Sequence, residues 1–295
     1  MFFDTTFRKV LLPGSVVIAL LINGCEPPPQ KNQPSIQQPE QQAGTSKVKS
    51  GLKAPPTETP YALTYFEPTP ENPEYGTLMV NDHAFLVPEG VPRPSIQSVY
   101  LLSHWEIKPG ESVLDIGTGS GVQSIFAAEI SDHIVATDIS AKAVETARVN
   151  VQRFGLQDKI DVRPPGDLFA PIKASERFDV ILFNIDYPSN PYTQFWWEIH
   201  ERFFAQVRQH LKPNGRIYYQ IGYIDNISRV KTMADKNGLR IMRLRMDERL
   251  IFQRAPIVFL LQSEADVREQ LRREEAAYAR QIEVDKHRDA QVSAD

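Results

Sequence analysis

Hydrophobic and polar positions follow two alternating patterns along residues 111–262. Short apolar runs, of which 178–185 is almost continuous, are typical of strands buried on both faces of a sheet. Between them lie segments with apolar residues at helical spacing. The predicted strands are 113–116, 133–138, 159–162, 178–185, 216–221, 240–246 and 256–261, and the predicted helices are 122–130, 140–154, 193–211 and 227–237. Such alternation predicts an α/β fold with a doubly wound, mostly parallel, seven-stranded sheet.

The last two predicted strands are joined by a short connection. A parallel crossover needs about a dozen residues or more. We therefore expect these two strands to pair antiparallel, so that the final strand of the chain runs against the others.

The amino terminus has the features of a targeting segment. Arg8 and Lys9 precede an apolar run, 10–22, that is shorter than the roughly 20 residues needed to span a bilayer. The run leads through Gly24 into Cys25, the only cysteine. This pattern resembles the lipobox of bacterial lipoproteins, which implies lipidation at Cys25 and a membrane-anchored protein of the cell envelope. The charge rule places Arg8 and Lys9 on the cytoplasmic side and the chain beyond the apolar run outside. An uncleaved anchor with an inert cysteine is the alternative.

Five segments are predicted from these patterns and from composition. Residues 1–25 form the signal and lipobox segment. Residues 26–60 contain eight prolines, six glutamines and no aromatic residue, so they predict a disordered tether. Residues 61–110 lead into the domain of residues 111–262. The charged segment 263–295 predicts an exposed helix that frays into a tail, with a partner-binding helix as the alternative.

Composition limits the possible chemistry. The 33 Lys and Arg residues and the 37 Asp and Glu residues give a formal net charge of −4. This charge argues against nucleic-acid binding over a broad basic surface. A single cysteine excludes an intramolecular disulfide and a cysteine-based zinc site. The six histidines are scattered without a close pair. Metal and thiol chemistry are therefore disfavoured.

A glycine-rich turn between the first strand and the first helix of this domain is the leading candidate for a ligand site. It reads Asp-Ile-Gly-Thr-Gly-Ser-Gly over residues 115–121. Glycines permit a tight turn and let a ligand approach the backbone. The spacing Gly-x-Gly-x-Gly differs from the Gly-x-Gly-x-x-Gly of dinucleotide binders. The candidate cofactor-binding residues of this turn are Asp115, Gly117, Thr118, Gly119 and Gly121.

Three carboxylates, Asp115, Asp138 and Asp167, are predicted at the ends of successive strands. A carboxylate beside the turn repels a pyrophosphate and attracts a cation, which favours S-adenosylmethionine (SAM) over a nicotinamide dinucleotide. We expect Asp138 to accept the ribose hydroxyls and Asp167 to receive the adenine amino group. The residues that follow them, Ile139 and Leu168, complete this part of the candidate site. Each carboxylate taken singly is also consistent with a helix cap.

With these motifs in place, residues 91–261 resemble a class I SAM-dependent methyltransferase of the small-domain type. The nearest likeness is to protein-glutamine methyltransferases and RNA guanine methyltransferases, and the segment Gly-Val-Pro-Arg-Pro at 90–94 is similar to one that they carry. The resemblance implies SAM as the cofactor, a seven-stranded sheet with an antiparallel last strand, and a protein or RNA nitrogen as the methyl acceptor.

The acceptor motif departs from the family. The resembling proteins have Asn-Pro-Pro-Tyr, and this chain has Asn184, Ile185, Asp186 and Tyr187. The resemblance assigns Asn184 and Tyr187 to the acceptor nitrogen, and Asn184 also borders the cofactor. Asp186 adds a carboxylate that suits a cationic acceptor or a general base, although a surface loop residue is equally consistent.

Three functions are compared on these grounds. An active SAM-dependent methyltransferase is the leading hypothesis. A catalytically silent, membrane-tethered module with the same fold is favoured by the altered acceptor motif and by export away from cytosolic SAM. A nicotinamide-dependent oxidoreductase is disfavoured by the glycine spacing and by Asp115.

Overall fold

The computed structural model describes residues 61–70, 72–185, 194–247 and 255–292. Every described residue belongs to one compact unit, Thr57–Asp295. The predicted signal segment with Cys25 and the predicted tether lie outside the described residues. None of the described helices combines the length and the apolar character that a membrane span requires.

A seven-stranded sheet forms the centre of the described domain. Its order is β6-β5-β4-β7-β8-β10-β9, and its strands are β4 (Ser112–Ile116), β5 (His133–Thr137), β6 (Ile160–Val162), β7 (Phe178–Phe183), β8 (Leu211–Ile221), β9 (Leu239–Met246) and β10 (Ile257–Ser263). The first five pair in parallel, and β10 is antiparallel to β8 and β9. The predicted fold class, including the antiparallel final strand, is confirmed.

Helices cover both faces of this sheet. They are α1 (Ile96–Leu102), α2 (Val122–Ala128), α3 (Ala141–Arg153), α4 (Gln194–Val207), α5 (Ile227–Lys236) and α6 (Glu264–Val292). Helices α1 to α3 pack on one face and α4 and α5 on the other. Strand β7 demonstrates the arrangement, because Val180 and Leu182 enter the first core while Ile181 and Phe183 enter the second.

Two predicted boundaries near β8 are wrong. Helix α4 ends at Val207 and is followed by a 3₁₀ turn, Arg208–His210, instead of continuing to Leu211. Strand β8 starts at Leu211 rather than at Arg216. The predicted turn residues lie inside the strand because its pairing with β7 shifts register there, and Asn214 takes a left-handed φ of 60°.

The segment predicted only as a lead-in, 61–110, contains a second sheet. Strands β1 (Leu63–Phe66), β2 (Tyr75–Val80) and β3 (His83–Pro88) form an antiparallel sheet of three strands, and α1 follows it. Phe85 and Val87 bury their side chains in the same core as α2 and α3. The available sequence signal was the pair of short apolar runs, 78–80 and 84–87, on either side of the polar residues Asn81, Asp82 and His83, which is typical of a hairpin.

Asn150, on α3, joins the two sheets through its fully buried side chain. Its Oδ1 accepts from the backbone N–H of Leu86 at 2.8 Å, and its Nδ2 donates to the Leu86 carbonyl at 2.9 Å. The same Nδ2 donates to the carbonyl of Ser120 in the glycine turn at 2.8 Å. Strand β3 pairs with β2 on one side only, so Asn150 takes the place of a neighbouring strand at its other edge.

We predict that Asn150→Ala lowers the free energy of unfolding by about 3 kcal/mol or more. The substitution leaves the buried carbonyl of Ser120 and the partly buried N–H and C=O of Leu86 without this partner, and each such loss costs about 1–3 kcal/mol. Urea denaturation measures the change. The matched control is Gln152→Ala on the exposed side of the same helix, for which we expect almost no effect. A loss below about 1 kcal/mol for Asn150→Ala would contradict the assigned role.

Candidate active site

A cavity of about 590 Å³ opens at the carboxyl ends of β4, β5, β6 and β7. This volume is within the usual range of about 300–1,000 Å³ for small-molecule sites. The lining includes eight of the residues that the sequence predicted: Gly117, Thr118, Gly119, Asp138, Ile139, Asp167, Leu168 and Asn184. Their separate roles toward a ligand stay predictions.

The glycine turn has a left-handed backbone at three positions. Gly117, Gly119 and Gly121 have φ values of 76°, 57° and 87°, which L side chains rarely adopt. A Cβ on Gly117 would lie 2.5 Å from Cγ1 of Ile185, so this position also needs glycine for space. A Cβ on Gly119 would meet no atom within 4 Å, because this residue faces open space at the cavity.

Asp115 supports the turn from inside the protein. Its carboxylate is buried, and Oδ2 accepts hydrogen bonds of 2.7 Å from the hydroxyls of Thr118 and Ser124. Burial raises the pKa of Asp115 to about 6. The residue does not line the cavity. The two hydroxyls and the strand end enclose this carboxylate, and its predicted role toward a cationic ligand stays a prediction.

Gly121 is also separated from the cavity. It is the N-cap residue of α2, and a Cβ there would meet Ala147 of α3 and Ile125 at 3.6 Å. Its predicted contact with a ligand is not supported by this placement. The close packing of α2 against α3 instead explains the small residue.

Asp138 follows β5 and is held by two backbone groups. Its Oδ2 accepts from the N–H of Gly119 at 3.0 Å and its Oδ1 from the N–H of Ser140 at 2.9 Å. An ionised carboxylate offers about four lone-pair sites, so both oxygens retain acceptor capacity toward the cavity. Ile139, beside it, is 68% exposed. A fixed carboxylate next to an exposed apolar side chain suits a ribose and an aromatic base.

Asp167 follows β6 and is paired with Arg202. The guanidinium of Arg202, on α4, donates to Oδ2 of Asp167, and both residues line the cavity. Leu168, next in the chain, is buried with a φ of 47°. Positive φ at a bulky residue is uncommon and occurs most often at functional sites.

Asn184 and Ile185 form the β7 side of the cavity. The side chain of Asn184 is half-buried and makes no hydrogen bond to any residue that the structure describes. Ile185 packs against Gly117. The predicted acceptor residues Asp186 and Tyr187 lie outside the described residues.

Sequence reasoning missed several polar residues of the lining. Arg93, quoted only for its motif, and Gln123, Glu198 and Arg202 are among them. Arg93 makes two hydrogen bonds of 3.2 Å to Glu67 and stacks on the ring of Tyr65 at 3.8 Å. Gln123 is the only large polar residue in the stretch 121–128, and this was the clearest available signal.

The charges of the lining favour a cationic or neutral ligand over a phosphate. Asp138, Asp167 and Glu198 contribute carboxylates. The two arginines in the lining, Arg93 and Arg202, are already paired with Glu67 and Asp167. No cluster of three or more His, Cys, Asp or Glu side chains arranged for a metal occurs among the described residues.

Comparison with known proteins supports a particular class. Residues 96–224 match the model of the family described as "Ribosomal protein L11 methyltransferase (PrmA)". The chain is 31% identical to a ribosomal RNA small subunit methyltransferase C of Alcanivorax borkumensis over 46% of this chain and 42% of that protein. It is 24% identical to a release factor glutamine methyltransferase of Clostridium acetobutylicum over 55% of this chain and 66% of that protein.

One solved structure, a ribosomal protein L11 methylase from Lactobacillus delbrueckii subsp. bulgaricus, aligns with a TM-score of 0.48 and 23% identity. The alignment covers 60% of this chain and 84% of that chain. The chain spans about half the length of the curated relatives that it matches.

The family model and the curated relatives show that the central region of this chain is similar to methyltransferases, the class that the sequence predicted. The relatives are named for ribosomal protein L11, ribosomal RNA and release factor glutamine.

We predict that Asp115→Asn changes how stability depends on pH. A pKa of about 6, above the ordinary 3.8, means that the folded protein holds this proton more tightly than the unfolded chain. The stability from this group is complete below about pH 4 and is lost as the pH rises through about 6. Between about pH 4.5 and 7.5 the wild type should therefore lose about 2 kcal/mol relative to the variant.

Urea denaturation at the two pH values measures this difference. Asp158→Asn, an exposed position at the other end of the sheet, is the matched control, and its pH dependence should follow that of the wild type. If Asp115→Asn also follows the wild type, the Asp115 carboxyl does not titrate in this range.

Proposed function

We propose that this protein is an active SAM-dependent methyltransferase that transfers a methyl group to a nitrogen of a protein or RNA acceptor. The observation that carries the proposal is the cavity at the carboxyl ends of β4 to β7. It combines a left-handed glycine turn, a fixed carboxylate at Asp138 and arginines that are already paired.

The residues present fit this cofactor. Gly119 leaves room for close approach to the backbone, since a Cβ there would project into open space. Asp138 retains acceptor capacity for the ribose hydroxyls, and Ile139 offers an apolar surface for the base. For Asp167 to receive the adenine amino group, one of its oxygens must remain available beside the ion pair with Arg202.

Asn184 is the residue that we assign to the acceptor. When bound, SAM supplies a methyl group on a sulfonium that is already a good leaving group. The protein then needs chiefly to hold the acceptor nitrogen close to the methyl group and aligned with it. The Asn184 amide, without a hydrogen bond to another described residue, can accept from the acceptor N–H and orient its lone pair. The carbonyl of Ile185 supplies a second acceptor, while Asp186 and Tyr187 retain their predicted roles.

We predict that Asp138→Ala and Asn184→Ala separate cofactor affinity from turnover. Asp138→Ala should weaken SAM about tenfold or more, because each hydrogen bond to a charged group contributes about 1.5–3 kcal/mol. Asn184→Ala should leave SAM affinity nearly unchanged and abolish methyl transfer. Calorimetry measures affinity, and labelled SAM with protein and RNA extracts as acceptors measures transfer.

Asp158→Ala is the matched control for the loss of an aspartate, and both readouts should equal those of the wild type. An unchanged SAM dissociation constant in Asp138→Ala would remove Asp138 from the site. Full transfer by Asn184→Ala would place the acceptor elsewhere. Tight SAM binding without any transfer by the wild type would favour the silent module that the altered acceptor motif suggested.

We further propose that the domain is attached to the membrane of the cell envelope through lipid on Cys25. The support is in the sequence: the basic pair Arg8 and Lys9, the short apolar run and the only cysteine at its end. A single acyl chain binds membranes only marginally, whereas several chains anchor stably.

We predict that Cys25→Ser releases the protein from the membrane fraction or leaves an uncleaved precursor, because serine has no thiol to receive the lipid. Fractionation of cells and the mass of the amino-terminal peptide measure the two outcomes. Ser46→Ala, within the predicted tether, is the control and should fractionate like the wild type. Normal processing and membrane attachment of Cys25→Ser would contradict the lipobox.

A further inference from the structure

Gln123 is a largely buried residue whose amide lines the cavity. It lies in the first turn of α2, it is 6% exposed, and it lines the cavity. Its side chain forms no hydrogen bond to any residue in the described part of the chain. Nearly all buried polar side chains in native proteins have a hydrogen-bond partner, since leaving one unpaired is costly. A ligand in the cavity is therefore the natural partner of this amide.

The position of Gln123 in the fold determines which part of a bound ligand it can contact. Helix α1 contacts α2 and lines the same cavity as Gln123. The helix contributes Gln97 and Ser98 to the lining, and its N-cap residue Ser95 lines the cavity as well. Helix α1 is tied to β8, because Nε2 of Gln220 donates to the Gln97 carbonyl at 2.7 Å.

The two adenosine-side carboxylates lie on the opposite side of the turn. Asp138 follows β5 and Asp167 follows β6, whereas α1 is attached beyond β7. A ligand whose base and ribose lie near Asp138 and Asp167 thus extends past Gly119 toward Gln123. Gln123 therefore lies at the end of the cavity that would receive the group attached to the ribose of such a ligand.

The chemistry of an amide matches an amino-acid group at that end. The side chain of Gln123 offers two N–H donors and a carbonyl acceptor. An α-amino acid presents a carboxylate, which needs donors, and an ammonium, which needs acceptors. An amide can serve either group without adding a charge to a cavity that already holds three carboxylates.

We infer that Gln123 is a cofactor-binding residue that hydrogen-bonds the amino-acid end of SAM. This inference rests on the proposed function, because it names the group of the same cofactor that Gln123 contacts. It also explains why a polar residue occupies a helix position that is otherwise enclosed by the protein core.

The test compares two ligands that differ only at the amino-acid end. S-adenosylhomocysteine carries it, 5′-methylthioadenosine lacks it, and both are uncharged at sulfur. In the full-length protein, Gln123→Met keeps the size of the side chain and removes its hydrogen bonds. We expect this variant to bind S-adenosylhomocysteine about tenfold more weakly, with the affinity for 5′-methylthioadenosine changed less than about twofold.

Thermal unfolding of the ligand-free variant is the second readout. The amide forms no hydrogen bond to another described residue, so Gln123→Met should leave the melting temperature of the free protein nearly unchanged while it weakens S-adenosylhomocysteine. A residue with only a structural role would instead lower the melting temperature. Gln152→Met, at an exposed position of α3, is the matched control and should change neither readout.

Three other outcomes are informative. Equal weakening of both ligands would mean that Gln123 acts through the shape of the turn, and unchanged affinity for both would mean that it does not touch the cofactor; either result overturns the inference. If the wild type binds neither ligand nor SAM, the proposed function itself is wrong, and the inference fails with it.

Discussion

The backbone of one turn determines the position of almost everything around the cavity. After β4 the chain must reverse within a few residues, and it does so through left-handed positions that glycine adopts without strain. The turn is held from below by the buried Asp115 carboxylate, which binds the hydroxyls of Thr118 and Ser124. It is held from the side by the Thr137 carbonyl, which accepts from the N–H groups of Gly117 and Thr118 at 2.8 and 2.9 Å. Asp138 and the start of α2 are positioned relative to this support.

The parts of the structure that depend on local pattern were predictable from the sequence. Strand–helix alternation predicted the seven-stranded sheet, and the Gly-x-Gly-x-Gly spacing and the carboxylate Asp138 marked the correct edge of it. Contacts between distant segments were not predictable. Arg202 is 35 residues from its partner Asp167, and no periodicity relates the two. The hydrogen bonds of Asp115 to Thr118 and Ser124 were not predictable either, because position at a strand end does not determine where a side chain points.

The small sheet illustrates a second limit of sequence reasoning. Its strands are short, and only alternate side chains of β2 and none of β1 are fully buried, whereas β3 packs against α2 and α3. Much of their stability comes from tertiary contacts, including the amide of Asn150, which lies 64 residues away from Leu86. A strand whose support is this remote gives a weak local signal, whereas a doubly buried strand such as β7 is evident from its composition alone.

The electrostatic balance of the cavity follows from how its arginines are used. Arg93 and Arg202 each form an ion pair with a carboxylate from another part of the chain. Their positive charges are therefore already compensated and attract a ligand only weakly. A pyrophosphate in this cavity would therefore be repelled by the carboxylates, and the paired arginines would do little to offset that repulsion. A nucleoside with a cationic or zwitterionic extension meets fixed acceptors, an exposed apolar side chain and a buried amide that has no other partner among the described residues.

Asn150 has a consequence for how this protein can associate with other chains. Unpaired strand edges are templates for intermolecular pairing, and proteins that leave them open risk aggregation. At the centre of β3 the edge N–H and C=O of Leu86 are both occupied by a side chain of the same molecule. Strand addition is therefore closed at that edge, and the three-stranded sheet can be extended only from β1.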